Sequence, residues 1–334
     1  MPTSSSSSPD SSLDPTSNSS LNSTSHSAVP VLSTWQWKGF TVSYQHAEPD
    51  HSSSKSNLAE SDGNELPAAV VMIHGFGASS IHWRKNIPEF AASYSVYAID
   101  LLGYGKSAKP TPGIPLNYTF ETWGQQVLDF CQQVVKQPAF LVANSIGCVV
   151  AMQTAVLAPD WVRGMALLDC SLRLLHDRKR QTLPWYRSVL TPYVQNVLGY
   201  RPLIQLFFKQ LAKPKSVKNI LRQAYGRKDE VTDELVSLLL EPAFDPGAVD
   251  VFLAFIRYSQ GPIPEDLLPQ LTCPVLILWG QVDPWEPIEL ARSYADYPAV
   301  EAFIELEGVG HCPQDEAPEV VNPTVMQWIE KKCL

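Results

Sequence analysis

Several common ligand chemistries are missing from this chain of 334 residues. Its six cysteines, Cys131, Cys148, Cys170, Cys273, Cys312 and Cys333, contain no C-x-x-C pair and lie mostly in apolar runs. They read as reduced, buried thiols of a cytosol-like compartment, which excludes a disulfide framework or a zinc cage. No apolar run is long enough to span a bilayer. No cationic-then-apolar start announces a secretory signal, so the sequons at Asn18, Asn22 and Asn117 are expected to carry nothing. Base is scarce: 25 Lys and Arg against 34 Asp and Glu leave a net charge of −9, which argues against nucleic acid as the main partner. Gly103-Tyr104-Gly105 lacks the third glycine of a dinucleotide fingerprint and does not open a helix. With no phosphate loop and no metal-ligand spacing, neither a cofactor nor a metal is expected.

What the chain does contain is a rhythm of buried strands. Residues 1–33 are rich in Ser, Thr, Asn and Pro and bury too little apolar surface to offset their ordering entropy, so a disordered tail is expected. A transit peptide is the alternative. Against it, the tail has no Lys or Arg and carries Asp10 and Asp14. Trp35 to Gln45 alternates as a hairpin of edge strands, and 48–65 is a polar insertion. Short apolar strands follow at Ala68–Ile73, Val96–Ile99, Ala139–Ala143, Met165–Leu168, Val275–Trp279 and Ala302–Leu306. Helical periodicity falls at Phe120–Val135 and Glu319–Lys331. From 171 to 262 no strand is evident. Five helical segments are expected there, near Trp185–Leu198, Leu203–Leu211, Ser216–Tyr225, Val231–Leu240 and Ala248–Tyr258. This predicts an α/β domain with a mostly parallel sheet and helices on both faces, its core split into 34–170 and 263–334 by a helical cap over 171–262.

The candidate chemistry centres on Ala143-Asn144-Ser145-Ile146-Gly147, where a strand turns at once into a helix. Such a turn needs small neighbours, lifts the serine hydroxyl clear of the sheet and points a helix N-terminus at it. A serine nucleophile needs a base, and the base needs an orienting acid. Asp283 follows the strand Val275–Trp279, and His311 follows Ala302–Leu306. The order Ser145, Asp283, His311, each just past a strand end, is that of the nucleophile-elbow hydrolases. Asp169 also ends a strand and is the alternative acid. Asp100, in D-x-x-G-x-G-x-S, reads as a structural turn. The oxyanion donors are expected to be the backbone N–H groups of Ile146 and Phe76, with His74 architectural.

These motifs resemble the α/β-hydrolase superfamily from about Trp35 onward. Four stretches resemble its plastid and cyanobacterial branch, which contains pheophytinase and the chlorophyll dephytylases. They are His74-Gly75-Phe76-Gly77, Asn144-Ser145-Ile146-Gly147, Gly280-Gln281-Val282-Asp283-Pro284-Trp285, and the run from Gly310-His311-Cys312-Pro313 through Asn322. Ala143 and Cys148 depart from it where relatives often carry glycine. The resemblance implies an α/β-hydrolase fold and hydrolysis of a phytyl ester of chlorophyll or pheophytin, inside the cell at a cyanobacterial thylakoid surface or in a plastid.

Ser145 stands where dehalogenases and epoxide hydrolases of this fold use aspartate. A carbon–carbon bond hydrolase and a triad-bearing receptor stay open as alternatives. Between Ser171 and Lys228 there are thirteen Lys and Arg against the single acid Asp177, among many large apolar residues. That pattern predicts a greasy pocket roof, a lipophilic ester substrate and contact with an anionic membrane surface.

Overall fold

The computed structural model describes residues 29–49, 67–113, 115–180 and 201–333. The strands are β1 (Val31–Trp37), β2 (Phe40–Ala47), β3 (Ala69–Ile73), β4 (Ser95–Ile99), β5 (Ala139–Asn144), β6 (Val162–Leu168), β7 (Val275–Gly280) and β8 (Val300–Leu306). They form one sheet in the order β1-β2-β4-β3-β5-β6-β7-β8. β2 runs antiparallel to β1 and β4, and every other pairing is parallel.

β3, β5 and β7 are buried at every residue because helices cover both faces. The two-residue period sorts their side chains. Val71, Ile73, Leu141 and Ile277 pack against Trp123, Val127 and Val149, on the helices Phe120–Phe130 and Ile146–Leu157. Val70, Met72, Val142 and Leu278 pack on the opposite face against Trp83, Phe90, Val325 and Ile329. Full burial of such side chains stabilises the fold by roughly 1.5–3 kcal/mol each.

Three details depart from the sequence pattern. β1 begins at Val31, inside the stretch 1–33 expected to lack structure. Val31 and Leu32 are exposed, and it is the backbone ladder to His46 and Gln45 that extends the strand, not burial. β2 is not an edge strand, since it also pairs with β4. The helix expected to run to Val135 ends as regular α-helix at Phe130, continues as a wider turn over Cys131–Val135 and stops at Lys136, whose φ is 62°.

Between β6 and β7 the described residues form helices only, including Arg201–Leu211, Pro214–Ala224, Asp233–Leu240 and Ala248–Arg257. Thr232 caps the third by accepting the Leu235 N–H at 3.1 Å. The expected helix at 185–198, the tail 1–28 and most of the insertion 48–65 lie outside the described residues. No helix among the described residues is long and apolar enough to cross a membrane.

Candidate active site

Five loops leave the C-terminal ends of β3, β5, β6, β7 and β8 and converge. Ser145 sits between β5 and its helix with φ 56° and ψ −122°, a sparsely populated conformation for a residue with a Cβ. Its neighbours explain how the turn is tolerated. A Cβ on Gly147 would lie 2.5 Å from the Ile73 carbonyl and 2.7 Å from that of His74, so only glycine lets the helix approach β3. The Ser145 N–H donates to the Leu168 carbonyl at 3.0 Å, and the Ser145 carbonyl accepts from Ser171 at 3.1 Å.

The fold brings together three groups that lie far apart along the chain. His311 Nε2 lies 3.0 Å from Ser145 Oγ, and His311 Nδ1 lies 2.7 Å from Asp283 Oδ2. All three residues are buried. The other oxygen of Asp283 accepts the N–H groups of Trp285 and Glu286 at 2.8 and 3.1 Å, so a tight turn aims Oδ2 at the histidine. That hydrogen bond fixes the proton on Nδ1 and leaves Nε2 as the acceptor for the serine. Burial alone pushes the His311 imidazole down. The bond to Asp283 and its charge, with Glu286 and Glu316, more than offset it, so the net displacement is upward.

Asp169, the alternative acid, is fully buried at the end of β6, and its carboxyl accepts the Gly280 N–H rather than the imidazole. Asp100 is structural as its turn suggested: it accepts Ser80 N–H at 2.6 Å and Lys106 N–H at 2.8 Å. His74 is architectural, with Nδ1 bonded to the Gly75 carbonyl at 2.8 Å and Nε2 accepting Leu101 N–H at 3.1 Å. Burial lowers its pKa. The Ile146 N–H opens its helix and has no intrahelical acceptor. Among the described residues, the Phe76 N–H likewise meets no acceptor.

Three contributors were not singled out from the sequence. Asn144 Nδ2 donates to the carbonyls of Leu168 (3.2 Å) and His311 (3.0 Å), tying the serine turn to the histidine loop. Glu286 accepts Ser171 Oγ–H and Leu172 N–H, both at 3.0 Å, and burial pushes its carboxyl up to about 7. Glu316 gathers the N–H groups of Gly226, Arg227, Gly310 and Cys312 at 2.8–3.1 Å. The signal for Glu286 and Glu316 was present, since both fall inside or beside the motifs around Asp283 and His311. The run after His311 is a clamp: its next acid, Asp315, is buried against Arg84 (2.8 Å) and the Tyr225 hydroxyl (2.9 Å).

Ser145 and His311 open onto a cavity of about 1200 Å³ lined by Phe76, Phe208, Leu211, Leu221, Phe252 and Phe255. Phe76 stacks on Phe255 at 4.5 Å between ring centroids, so the loop after β3 and the helical segment share one apolar wall. The site thus sets a serine hydroxyl against a histidine nitrogen, beside two backbone N–H groups and an apolar chamber.

Comparison with known proteins agrees with this architecture. Residues 70–324 match the model of the Alpha/beta hydrolase family. The chloroplastic pheophytinase of Arabidopsis thaliana is 25% identical over 303 residues, covering 80% of this chain and 62% of that protein. The chain thus spans under two thirds of that relative's length. An uncharacterized hydrolase of Bacillus subtilis, YugF, is 26% identical over 263 residues, covering 78% of this chain and 89% of its own. Among solved structures, a serine hydrolase involved in carbazole degradation superposes with a TM-score of 0.69 at 18% identity, covering 90% of this chain and 99% of that one.

Proposed function

The chain belongs to the alpha/beta hydrolase family, and from that premise we propose that it is a serine hydrolase of a lipophilic carboxylic ester, such as the phytyl ester of chlorophyll or pheophytin. The observation that carries the reading is the continuous contact from Ser145 Oγ through His311 to Asp283, at 3.0 and 2.7 Å.

In this mechanism His311 Nε2 takes the hydroxyl proton as Ser145 Oγ attacks the ester carbonyl. The N–H groups of Ile146 and Phe76 receive the oxyanion, and one such donor is worth about 3 kcal/mol of transition-state stabilisation. The tetrahedral intermediate collapses, and the imidazolium returns its proton to the departing alcohol. Water, activated by the same imidazole, then releases the acid from the acyl-enzyme. Asp283 holds the imidazole tautomer and stabilises its charge throughout.

The substrate class rests on the apolar chamber and on the resemblance to a pheophytinase. Residues 171–262 act as a cap over the strand ends. The cap also meets an anionic membrane surface, as in a plastid or at a thylakoid. Support for that contact comes from the Pro214–Ala224 helix. Its apolar face, including Val217 and Leu221, lines the chamber, while Lys215 and Arg222 lie exposed on the rest of its surface. Exposed Phe207, Ile220 and Phe244 add apolar area to the same helical segment.

A fluorophosphonate probe should label the wild type at Ser145 and leave Ser145→Ala unlabelled; labelling that survives the substitution removes Ser145 as nucleophile. Turnover measured side by side on pigment esters, long-chain and short-chain nitrophenyl esters and a vinylogous carbon–carbon hydrolase substrate then assigns the reaction. Activity confined to short soluble esters defeats the lipophilic reading and leaves the serine mechanism standing.

A further inference from the structure

Two carboxyl groups meet behind His311, and the mechanism uses only one of them. Asp169 ends β6 in a left-handed backbone conformation, φ 44°, with its own N–H donating to the Leu278 carbonyl at 3.0 Å. Among the described residues, its carboxyl receives a single N–H, that of Gly280, at 3.0 and 3.2 Å from the two oxygens. One carboxyl oxygen from each of Asp169 and Asp283 and a His311 ring nitrogen all lie within 4.8 Å of one another. Both acids are buried, so two negative charges at this spacing would repel with little solvent to screen them.

The donor count decides which acid keeps the charge. Asp283 has three donors: the N–H groups of Trp285 and Glu286, and the His311 ring. Asp169 has one. We propose that Asp169 carries a proton and donates it to the Asp283 carboxylate, forming a chain from Asp169 O–H through Asp283 to His311 Nδ1–H. Asp169 is then a positioning residue. Its proton stays on it through the cycle, pins the Asp283 carboxylate in plane with the imidazole and keeps a second negative charge away from it. Burial first, then the neighbouring Asp283 charge, hold the Asp169 carboxyl well above the usual carboxylate range, against the pull of the Gly280 N–H. The other titratable groups facing this pair are His311, Glu286, Glu316 and the Cys312 thiol. The two carboxyls among them, Glu286 and Glu316, add negative charge, which favours the protonated form of Asp169.

The inference rests on the triad reading, and two readouts separate their failures. The first is infrared spectroscopy of the whole protein at neutral pH. The wild-type minus Asp169→Asn difference spectrum should show a buried carboxylic-acid C=O stretch, whether or not the protein is active; Glu286, pushed up to about 7, contributes equally to both spectra and cancels. Lack of that difference band overturns the proposal. The second is the rate of fluorophosphonate labelling as a function of pH. Asp169→Ala should slow labelling by about tenfold or more, as loss of a hydrogen bond to a charged group does. Asp169→Asn, whose amide N–H replaces the acid proton, should restore most of that rate and the wild-type pH profile. If Asp169→Asn is as slow as Asp283→Asn, Asp169 is an ionised acid and the proposal fails. If Asp169→Ala labels like the wild type, the positioning role fails. If the wild type takes no label at all, the serine-hydrolase reading fails, and the infrared band still decides where the proton is.

Discussion

The His311 backbone N–H donates to the Ala224 carbonyl at 2.9 Å. The candidate base is therefore anchored to the end of the Pro214–Ala224 helix, in the segment inserted between β6 and β7, as well as to its own strand. The same helix lines the apolar chamber.

Asp283→Asn keeps the shape of the site and removes the acceptor that selects the imidazole tautomer. Turnover should fall by about ten-thousandfold, as in other triads, with the melting temperature little changed. Steady-state kinetics on a long-chain nitrophenyl ester is the check. A loss smaller than that caused by Asp169→Asn would reassign the acid.

Glu316→Ala strips the acceptor from four backbone N–H groups spread over Gly226, Arg227, Gly310 and Cys312. Each N–H left buried and unpaired costs about 1–3 kcal/mol. The histidine loop should loosen, lowering turnover by about a hundredfold, as a misplacement near 1 Å does. The melting temperature should fall as well. Turnover and thermal unfolding measured on one preparation test this, and unchanged turnover contradicts it.

Gly147→Ala places a Cβ 2.5 Å from the Ile73 carbonyl and 2.7 Å from that of His74, and backbone cannot move aside as a side-chain tip can. The expected cost is about 1–3 kcal/mol of stability, as for other overpacked sites. Loss of fluorophosphonate labelling should accompany it, because the serine turn shifts. Urea unfolding and probe labelling report the two effects.

The pH dependence has a definite sign. His311 acts as a base only when neutral, and its pKa lies above the ordinary 6.5. Activity should therefore fall as pH drops through that raised value, with the acidic limb of kcat/KM centred above 6.5. Glu286, itself pushed up to about 7 by burial, contributes negative charge that raises the imidazole. Glu286→Gln should move the acidic limb to lower pH. A limb that stays in place, or moves up, excludes electrostatic coupling between Glu286 and His311.

Much of this was legible in the sequence, for local reasons. An all-apolar strand followed at once by a serine flanked by small residues states its own geometry, because a strand-to-helix turn leaves room for little else. The strand ends before Asp283 and His311 state where those side chains emerge. Periodicity placed four helices of the inserted segment within a few residues.

Only the tertiary structure could decide which groups meet across long sequence separations. That His311 takes Asp283 and not Asp169 depends on the turn that engages one Asp283 oxygen with Trp285 and Glu286 and frees the other. Asp169 faces β7 instead because its left-handed backbone turns its side chain to Gly280. In the sequence, the run after His311 carries a family resemblance and names no partners for its acids. Folded, Asp315 and Glu316 reach Arg84 and the Tyr225–Arg227 corner, from distant parts of the chain. Residue type and spacing specify what a side chain can do. Its partners depend on how strands stack and which backbone N–H groups burial leaves in need of an acceptor, and no local pattern carries that information.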